Sequence, residues 1–262
     1  MTSTMTPLHT FLDFAVDAAW QAGQLTMADF QTGVAVEWKS DDSPVTIADR
    51  KAEELLRNMI ESRFPDHAIV GEEFGEADKD SDYRWIIDPI DGTRSFIRGV
   101  PLYGVLIGLE ISGEMVVGVI HLPGLGEMVA AAEGEGCRWN GRPAHVSGVS
   151  QMDQALLVYT DSGEFARQGR ADTWARLRAA THTQRGWGDC YGHCLVATGR
   201  AEVMLDPVMS AWDAGALLPV LREAGGSLTD WHGNSTIYGG SAFSTNGILF
   251  DQVIEIMECA NQ

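Results

Sequence analysis

Apolar positions recur along the chain with two different periods. From Phe11 to Phe30 they fall at helical spacing (Phe11, Phe14, Ala15, Ala18, Leu25), which predicts an amphipathic helix. A second helix is predicted over Thr46–Arg63. It opens with Ser-Pro and a Thr-x-x-Asp that resembles a capping box. From Ala68 the apolar runs become short and stop abruptly at charge, so "AIVGEE" and "RWIIDPID" read as strands that end in acids. The stretch "LYGVLIGLEISGEMVVGVIHLP" predicts a hairpin turning at Ser112 and Gly113, and "EMVAAAEGEGCRWNGRPAHVS" predicts further short strands joined by glycine turns. The first half thus reads as two helices followed by antiparallel strands.

After about Val149 the elements alternate. Strands are predicted at Ala155–Tyr159, Ala201–Leu205 and Ser227–Thr229, and helices at Thr173–Ala180, Cys190–Thr198, Trp212–Ala224 and Asp251–Cys259. The expected organisation is an α+β half over residues 1–149 and an α/β half over 150–262. No linker composition separates them, so the halves are expected to pack tightly around a shared cleft.

Composition narrows the partners. With 262 residues and 45% hydrophobic content the chain can build a large core. Its 37 Asp and Glu against 18 Lys and Arg give a formal charge of −19, which argues against nucleic acid and anionic membrane as partners and for small molecules and cations. The segment Met1–Leu25 lacks a basic start and carries Asp13 and Asp17, unlike a secretory signal; the uncharged window Trp231–Phe250 is too rich in Gly, Ser, Thr and Asn to span a membrane. Cys137, Cys190, Cys194 and Cys259 show no framework spacing, and a reduced, cytoplasmic protein is expected. Cys190 and Cys194 with His193 fall short of the closed four-ligand set of a structural zinc.

The candidate chemistry lies in carboxylates placed where strands end or helices begin: Glu72 in "IVGEEFG", Asp88 and Asp91 in "WIIDPIDGT", and Asp213 in "SAWDAGALLPV". Two such charges about 5 Å apart repel by roughly 3 kcal/mol at an effective dielectric near 20, so convergence would require cations. All-oxygen donors suit Mg²⁺. Each piece also has a plain structural reading: Glu72 as a solvated strand end, Asp88 and Asp91 as a turn around Pro89 and Gly92, and Asp213 as a helix N-cap. The joint pattern of the three motifs is far more specific than any one of them.

On these motifs the chain resembles the inositol monophosphatase family of metal-dependent sugar-phosphate phosphatases, from about Phe11 to the last helix. The resemblance implies an α-β-α-β-α layered sandwich, a homodimer, and Mg²⁺-dependent hydrolysis of a small phosphate monoester with lithium as an inhibitor. It also implies that Glu72, Asp88 and the carbonyl of Ile90 hold one metal, that Asp88, Asp91 and Asp213 hold a second, and that Glu72 holds a weaker third. Two or three ions per site are expected, with Mn²⁺ as a possible replacement. Thr93 would orient the attacking water, paired with Asp49 of "SPVTIADRK", and Lys39 would stand at the site's edge; Thr46 and Asp49 can equally serve as helix caps. Gly92 and Thr93 begin the short helix "TRSFIRG", whose N–H groups can bind phosphate oxygens.

The substrate is expected from departures within the resemblance. Asp189 follows Gly188 where inositol-hydrolysing members usually carry a small or hydroxyl residue, and Asp206 stands seven residues before Asp213 where they usually carry Glu. An added acid suits a leaving group with a cationic amine or imidazole. "GDCYG", "DPIDGTRSFIRGVP" and "LIGLE" also resemble the histidinol-phosphatase branch. The expected substrate is L-histidinol phosphate, with Asp189 as specificity residue, helped by Arg185, Asp206 and Asp213 and with Trp187 either shaping the pocket or packed. Asp189 has a capping role on the following helix as its alternative. An inositol or other sugar-alcohol monophosphatase is the alternative within this chemistry, and a non-catalytic metal-binding homologue the alternative outside it.

Overall fold

The N-terminal apolar stripe folds as its period predicts: α1 (Leu8–Asp29) buries Phe11, Ala15, Ala18, Ala19 and Ala22 along one side. The computed structural model describes residues 6–77 and 79–259, so the part of the Met1–Leu25 reading that falls on residues 1–5 lies outside the described residues, as does the side chain of Cys259. A short antiparallel ribbon, β1 (Val36–Trp38) and β2 (Pro44–Thr46), leads into α2 (Ile47–Arg63). There follow β3 (Ala68–Gly71), β4 (Gly75–Ala77), β5 (Tyr83–Asp91), the single turn α3 (Thr93–Phe96), β6 (Gly104–Ile111), β7 (Glu114–Leu122), β8 (Glu127–Ala132), β9 (Gly136–Trp139) and β10 (Arg142–Pro143). These strands from β3 onward form one eight-stranded sheet in the order β10-β9-β8-β7-β6-β5-β3-β4. The predicted hairpin β6–β7 turns at Ser112 and Gly113, at φ of 53° and 89°, the positive values a twisted two-residue turn requires. The expectation of antiparallel pairing fails between β3 and β5, which run parallel. β4 folds back along the outer edge of β3, returning the chain to the end where β3 began.

In the second half come β11 (Leu156–Tyr159), α4 (Glu164–Arg167), α5 (Ala171–Ala180), β12 (Thr183–Arg185), α6 (Asp189–Ala197), β13 (Val203–Asp206), α7 (Ala211–Gly215), α8 (Leu217–Glu223), β14 (Ser227–Thr229), β15 (Ala242–Thr245) and α9 (Phe250–Cys259). Five strands form a mixed sheet in the order β12-β11-β13-β15-β14. β12 and β15 are absent from the sequence prediction. β15 shows no apolar alternation, because Ser244 and Thr245 are buried with partners at His193 and Ser227 instead of facing water. The single helix expected over Trp212–Ala224 is broken at Ala216. Pro219 has no N–H for the Gly215 carbonyl, and its ring crowds that carbonyl. The break lies flat on the first sheet, where a Cβ at Gly118 would sit 2.2 Å from the Ala216 carbonyl oxygen.

The layers follow from side-chain alternation along the strands. On one face of the first sheet Trp85, Ile87 and Ile107 pack on Phe11, Leu56 and Ile60 of α1 and α2. On the other, Ile86, Leu106 and Ile120 meet Val196, Ala214, Leu217 and Leu221 of the middle helices, together with Met204 of the second sheet. The far face of the second sheet, with Leu157, Val203 and Phe243, is covered by Leu177 of α5 and by Val253 and Met257 of α9. This is the α-β-α-β-α layering expected, with both sheets buried on both faces. Among the described residues, no helix is long and apolar enough to cross a membrane.

Candidate active site

In a regular strand Asp88 and Asp91 would point to opposite faces, being three residues apart. The pairing of β5 with β6 shifts between Asp88↔Leu106 and Asp91↔Gly104, so that three steps on one strand oppose two on the other. This β-bulge turns Asp91 back to the side of Asp88. Pro89 suits the position because it has no N–H to offer the ladder. The Ile90 N–H donates to Asp88 Oδ1 at 2.9 Å. Asp213 arrives from the second half as the third residue of α7, where the Ser210 N–H donates to its Oδ2 at 2.7 Å. Asp213 is not the N-cap, which is Ser210, but the third-residue partner of its capping box, and one oxygen from each of Asp88, Asp91 and Asp213 lies within 4.8 Å of the others. Glu72 stands beside this triad, its Oε1 accepting from Lys39 Nζ at 2.9 Å, while Lys39 also donates to Glu73 at 2.6 Å.

The electrostatics show what the triad lacks. Burial, then the charges of neighbouring acids, pushes Asp88 and Asp91 well above the ordinary carboxylate range. Burial raises Asp213 to about 6, and raises Glu72 against the opposing pull of Lys39. Buried carboxylates that repel one another are stabilised by a cation placed between them as well as by protons, and hard oxygen donors with a carbonyl nearby fit Mg²⁺. The donor set thus matches the metal that the motifs imply.

Behind the triad, Asp49 is fully buried on α2. Its Oδ2 accepts the Thr46 N–H at 2.8 Å and the Thr46 hydroxyl at 2.6 Å, which completes the predicted capping box. Its Oδ1 remains for the Thr93 hydroxyl at 3.2 Å, which also lies 2.9 Å from the Ile90 carbonyl. Asp49 is therefore both a cap and the partner of Thr93. Gly92 adopts φ of 85°, and a Cβ there would meet the Leu102 carbonyl oxygen at 3.0 Å and Asp189 Oδ2 at 3.1 Å. No other residue combines that backbone with that clearance.

The side of the cleft that carries Asp189 is built by α6. The capping alternative for Asp189 is not realised: Gly188 is the N-cap, and Asp189 is the first helical residue, at a left-handed φ of 55°. Its N–H donates to Thr160 Oγ1 at 2.9 Å and the next N–H, of Cys190, donates to Asp91 Oδ2 at 2.5 Å. Burial and the charges of Asp206 and Asp213 raise the Asp189 carboxyl to about 7. Asp189, Asp206 and Asp213 line one cleft of about 1030 Å³ with Glu72, Gly92 and Thr93, and Arg94, Arg98 and Arg167 also line it. Arg185 departs from expectation. It ends the edge strand β12, is exposed, donates to the Gln184 carbonyl at 2.7 Å and is not among the residues that line the cleft; nor is the exposed Trp187.

Sequence reading missed Glu53. Its buried carboxylate accepts the Glu73 N–H at 2.7 Å and the Phe74 N–H at 3.2 Å, with Arg57 Nε at 2.8 Å, so it holds the turn that carries Glu72. The available signal was an acid beside the buried stripe Ala52, Leu56, Ile60, with Arg57 one turn on to neutralise it.

A sequence profile described as the inositol monophosphatase family matches residues 7–261. The chain is 47% identical over 230 residues to the histidinol-phosphatase of Chlorobaculum parvum, covering 87% of this chain and 89% of that protein. It is 37% identical to the histidinol-phosphatase of Mycobacterium tuberculosis, covering 94% and 97%. Among solved structures, the inositol monophosphatase from Anabaena superposes with a TM-score of 0.85 at 32% identity, over 97% of each chain. The family match and these relatives indicate a phosphoric monoester hydrolase. The chain belongs to the inositol monophosphatase family.

Proposed function

We propose that the chain is a Mg²⁺-dependent histidinol-phosphatase, converting L-histidinol phosphate and water to L-histidinol and phosphate. The observation that carries the choice of substrate is the Asp189 carboxylate, turned into the cleft on a left-handed residue next to Gly92. The backbone conformation costs about 1 kcal/mol or more in a non-glycine residue, a cost that a ligand-facing role explains. Similarity at 47% to a histidinol-phosphatase, against 32% to an inositol monophosphatase, supports the same choice.

Asp88, Asp91, Asp213, Glu72 and the Ile90 carbonyl are the residues that would hold Mg²⁺, two or three ions in all. When bound, the metal supplies charge neutralisation for the ester oxygens, a more acidic water and stabilisation of the leaving alkoxide. Gly92 and Thr93 N–H groups bind ester oxygens at the start of α3. The Thr93 hydroxyl, its own proton directed at Asp49 or Ile90, accepts a hydrogen bond from the attacking water and so orients it. Asp189 and Asp206 hold the cationic nitrogens of the leaving alcohol. We take the protein to be a cytoplasmic homodimer whose halves, 1–149 and 150–262, each supply part of the cleft.

The test is phosphate release from histidinol phosphate, inositol 1-phosphate and β-glycerol phosphate, with Mg²⁺ and with chelator. The reading requires histidinol phosphate to give the highest kcat/KM and chelator to abolish all release. Preference for inositol 1-phosphate would replace the substrate, and no release from any ester would point to a binding protein.

A further inference from the structure

The Asp206 carboxylate at the floor of the cleft is backed by a buried imidazole. His193 Nε2 lies 3.2 Å from Asp206 Oδ2, and His193 Nδ1 lies 2.9 Å from Ser244 Oγ. His193 and Ser244 are fully buried and Asp206 is 5% exposed. The three come from separate elements: His193 from α6, four residues beyond Asp189, Asp206 from the end of β13, and Ser244 from β15, which pairs with β13.

The chemistry of the groups assigns the protons. A carboxylate accepts, so Nε2 carries the hydrogen, and in the neutral ring the Ser244 hydroxyl donates to Nδ1. The backbone is pinned as well, because Trp231 Nε1–H donates to the Asp206 carbonyl at 3.1 Å. Asp206, which lines the cleft, thus has its main chain and one carboxylate oxygen held by buried partners. One partner of the ring is a cleft residue, and no step of the phosphate chemistry uses the ring.

We propose that His193 is a positioning residue. With Ser244 behind it, His193 fixes Asp206 so that Asp206 and Asp189 together select phosphate esters whose alcohol carries a cationic nitrogen over neutral esters. This inference rests on the histidinol-phosphatase reading and adds the device that sets its selectivity.

The experiment compares the ratio of kcat/KM for L-histidinol phosphate to that for β-glycerol phosphate in wild type, His193→Phe, His193→Gln, Ser244→Ala, Asp206→Asn and the double variant H193F/D206N. Loss of one charge-assisted hydrogen bond is expected to lower the ratio about tenfold or more in H193F. Gln, which can place an amide N–H where Nε2–H stands, is expected to keep the ratio within about threefold of wild type. The double variant is expected to be no worse than D206N, because both changes remove one unit. Should H193F fail to fold, S244A, which removes only a hydroxyl, is expected to lower the ratio severalfold. A wild type without preference for histidinol phosphate overturns the underlying reading and this inference together. A wild-type preference retained in H193F or S244A, or additive losses in the double variant, overturns this inference alone.

Discussion

The Asp91 carboxylate accepts the Cys190 N–H at 2.5 Å, joining the end of a strand in the first sheet to the first turn of a helix packed on the second. The bond satisfies one of the N–H groups that a helix start leaves free. It also places Asp189, one residue earlier, close to the acidic triad. On the proposed reading, the position of the acid that faces the leaving group is thereby tied to a residue that would hold the metal.

Asp91→Asn keeps an oxygen for the Cys190 N–H and removes the charge. The variant is expected to retain its circular dichroism and melting behaviour while kcat/KM falls by about 10² to 10³, the usual cost of losing a charge aimed at the transition state. Turnover within tenfold of wild type would contradict the metal assignment.

Asp189 can be separated from its backbone cost. Asp189→Asn tolerates the left-handed conformation and relieves repulsion from Asp206 and Asp213, so it is expected to melt no lower than wild type. Its kcat/KM for histidinol phosphate is expected to drop roughly tenfold or more, with a smaller loss on β-glycerol phosphate. Asp189→Ala is expected to show the same kinetic loss and to be about 1 kcal/mol less stable than the Asn variant, read from urea unfolding. Equal losses on both esters would remove Asp189 from substrate recognition.

Glu53 reaches no substrate, yet it holds the Glu72 turn through the Glu73 and Phe74 N–H groups. Glu53→Gln removes the charge that accepts three hydrogen bonds, from the Glu73 and Phe74 N–H groups and from Arg57 Nε. It is expected to raise the Mg²⁺ concentration for half-saturation about 10- to 100-fold, measured by calorimetric titration as well as by activity. Unchanged Mg²⁺ affinity would show that the turn is held without it.

Metal removal links stability to pH. In chelated protein the carboxyls of Asp88, Asp91 and Asp213 have folded pKa values above their unfolded ones, Asp213 at about 6 and the other two well above the ordinary range. The folded state therefore takes up protons before the unfolded chain does, and these groups make it more stable as pH falls towards about 4. On the proposed reading, bound Mg²⁺ would provide the same compensation at neutral pH. The Mg²⁺-dependent rise in melting temperature is thus expected to be large at pH 7.5 and to shrink as pH falls towards 5. Using the difference between loaded and chelated protein removes the opposite contribution of His67 and His121, whose pKa values burial lowers. A metal-induced rise that grows on acidification would sink this account.

Much of this was legible in the residues. Asp91 ends β5, Glu72 follows the end of β3 and Asp213 lies in the first turn of α7, whereas Asp88, expected at a strand end, lies inside β5; a local motif announces each of them. The capping box at Thr46 and Asp49 could be read because it closes within four residues. The strand β15 could not, since its Ser244 and Thr245 are polar and their burial depends on His193 and Ser227 far along the chain. Arg185 was misjudged for a related reason. Its nearness to Asp189 in the chain says nothing about which side of an edge strand faces the cleft.

Taken alone, the order of residues determined the layered α/β class and singled out the acids that the fold gathers, the threonine beside them and the unusual acid after Gly188. These are set by short-range periodicity and by motifs a few residues long. Only the tertiary structure decided that a bulge turns Asp91 to the side of Asp88, that Asp189 and not Arg185 lines the cleft, and that His193 stands behind Asp206. Each of these depends on strand register and on which distant element packs behind a side chain, and neither is encoded within any single stretch of the chain.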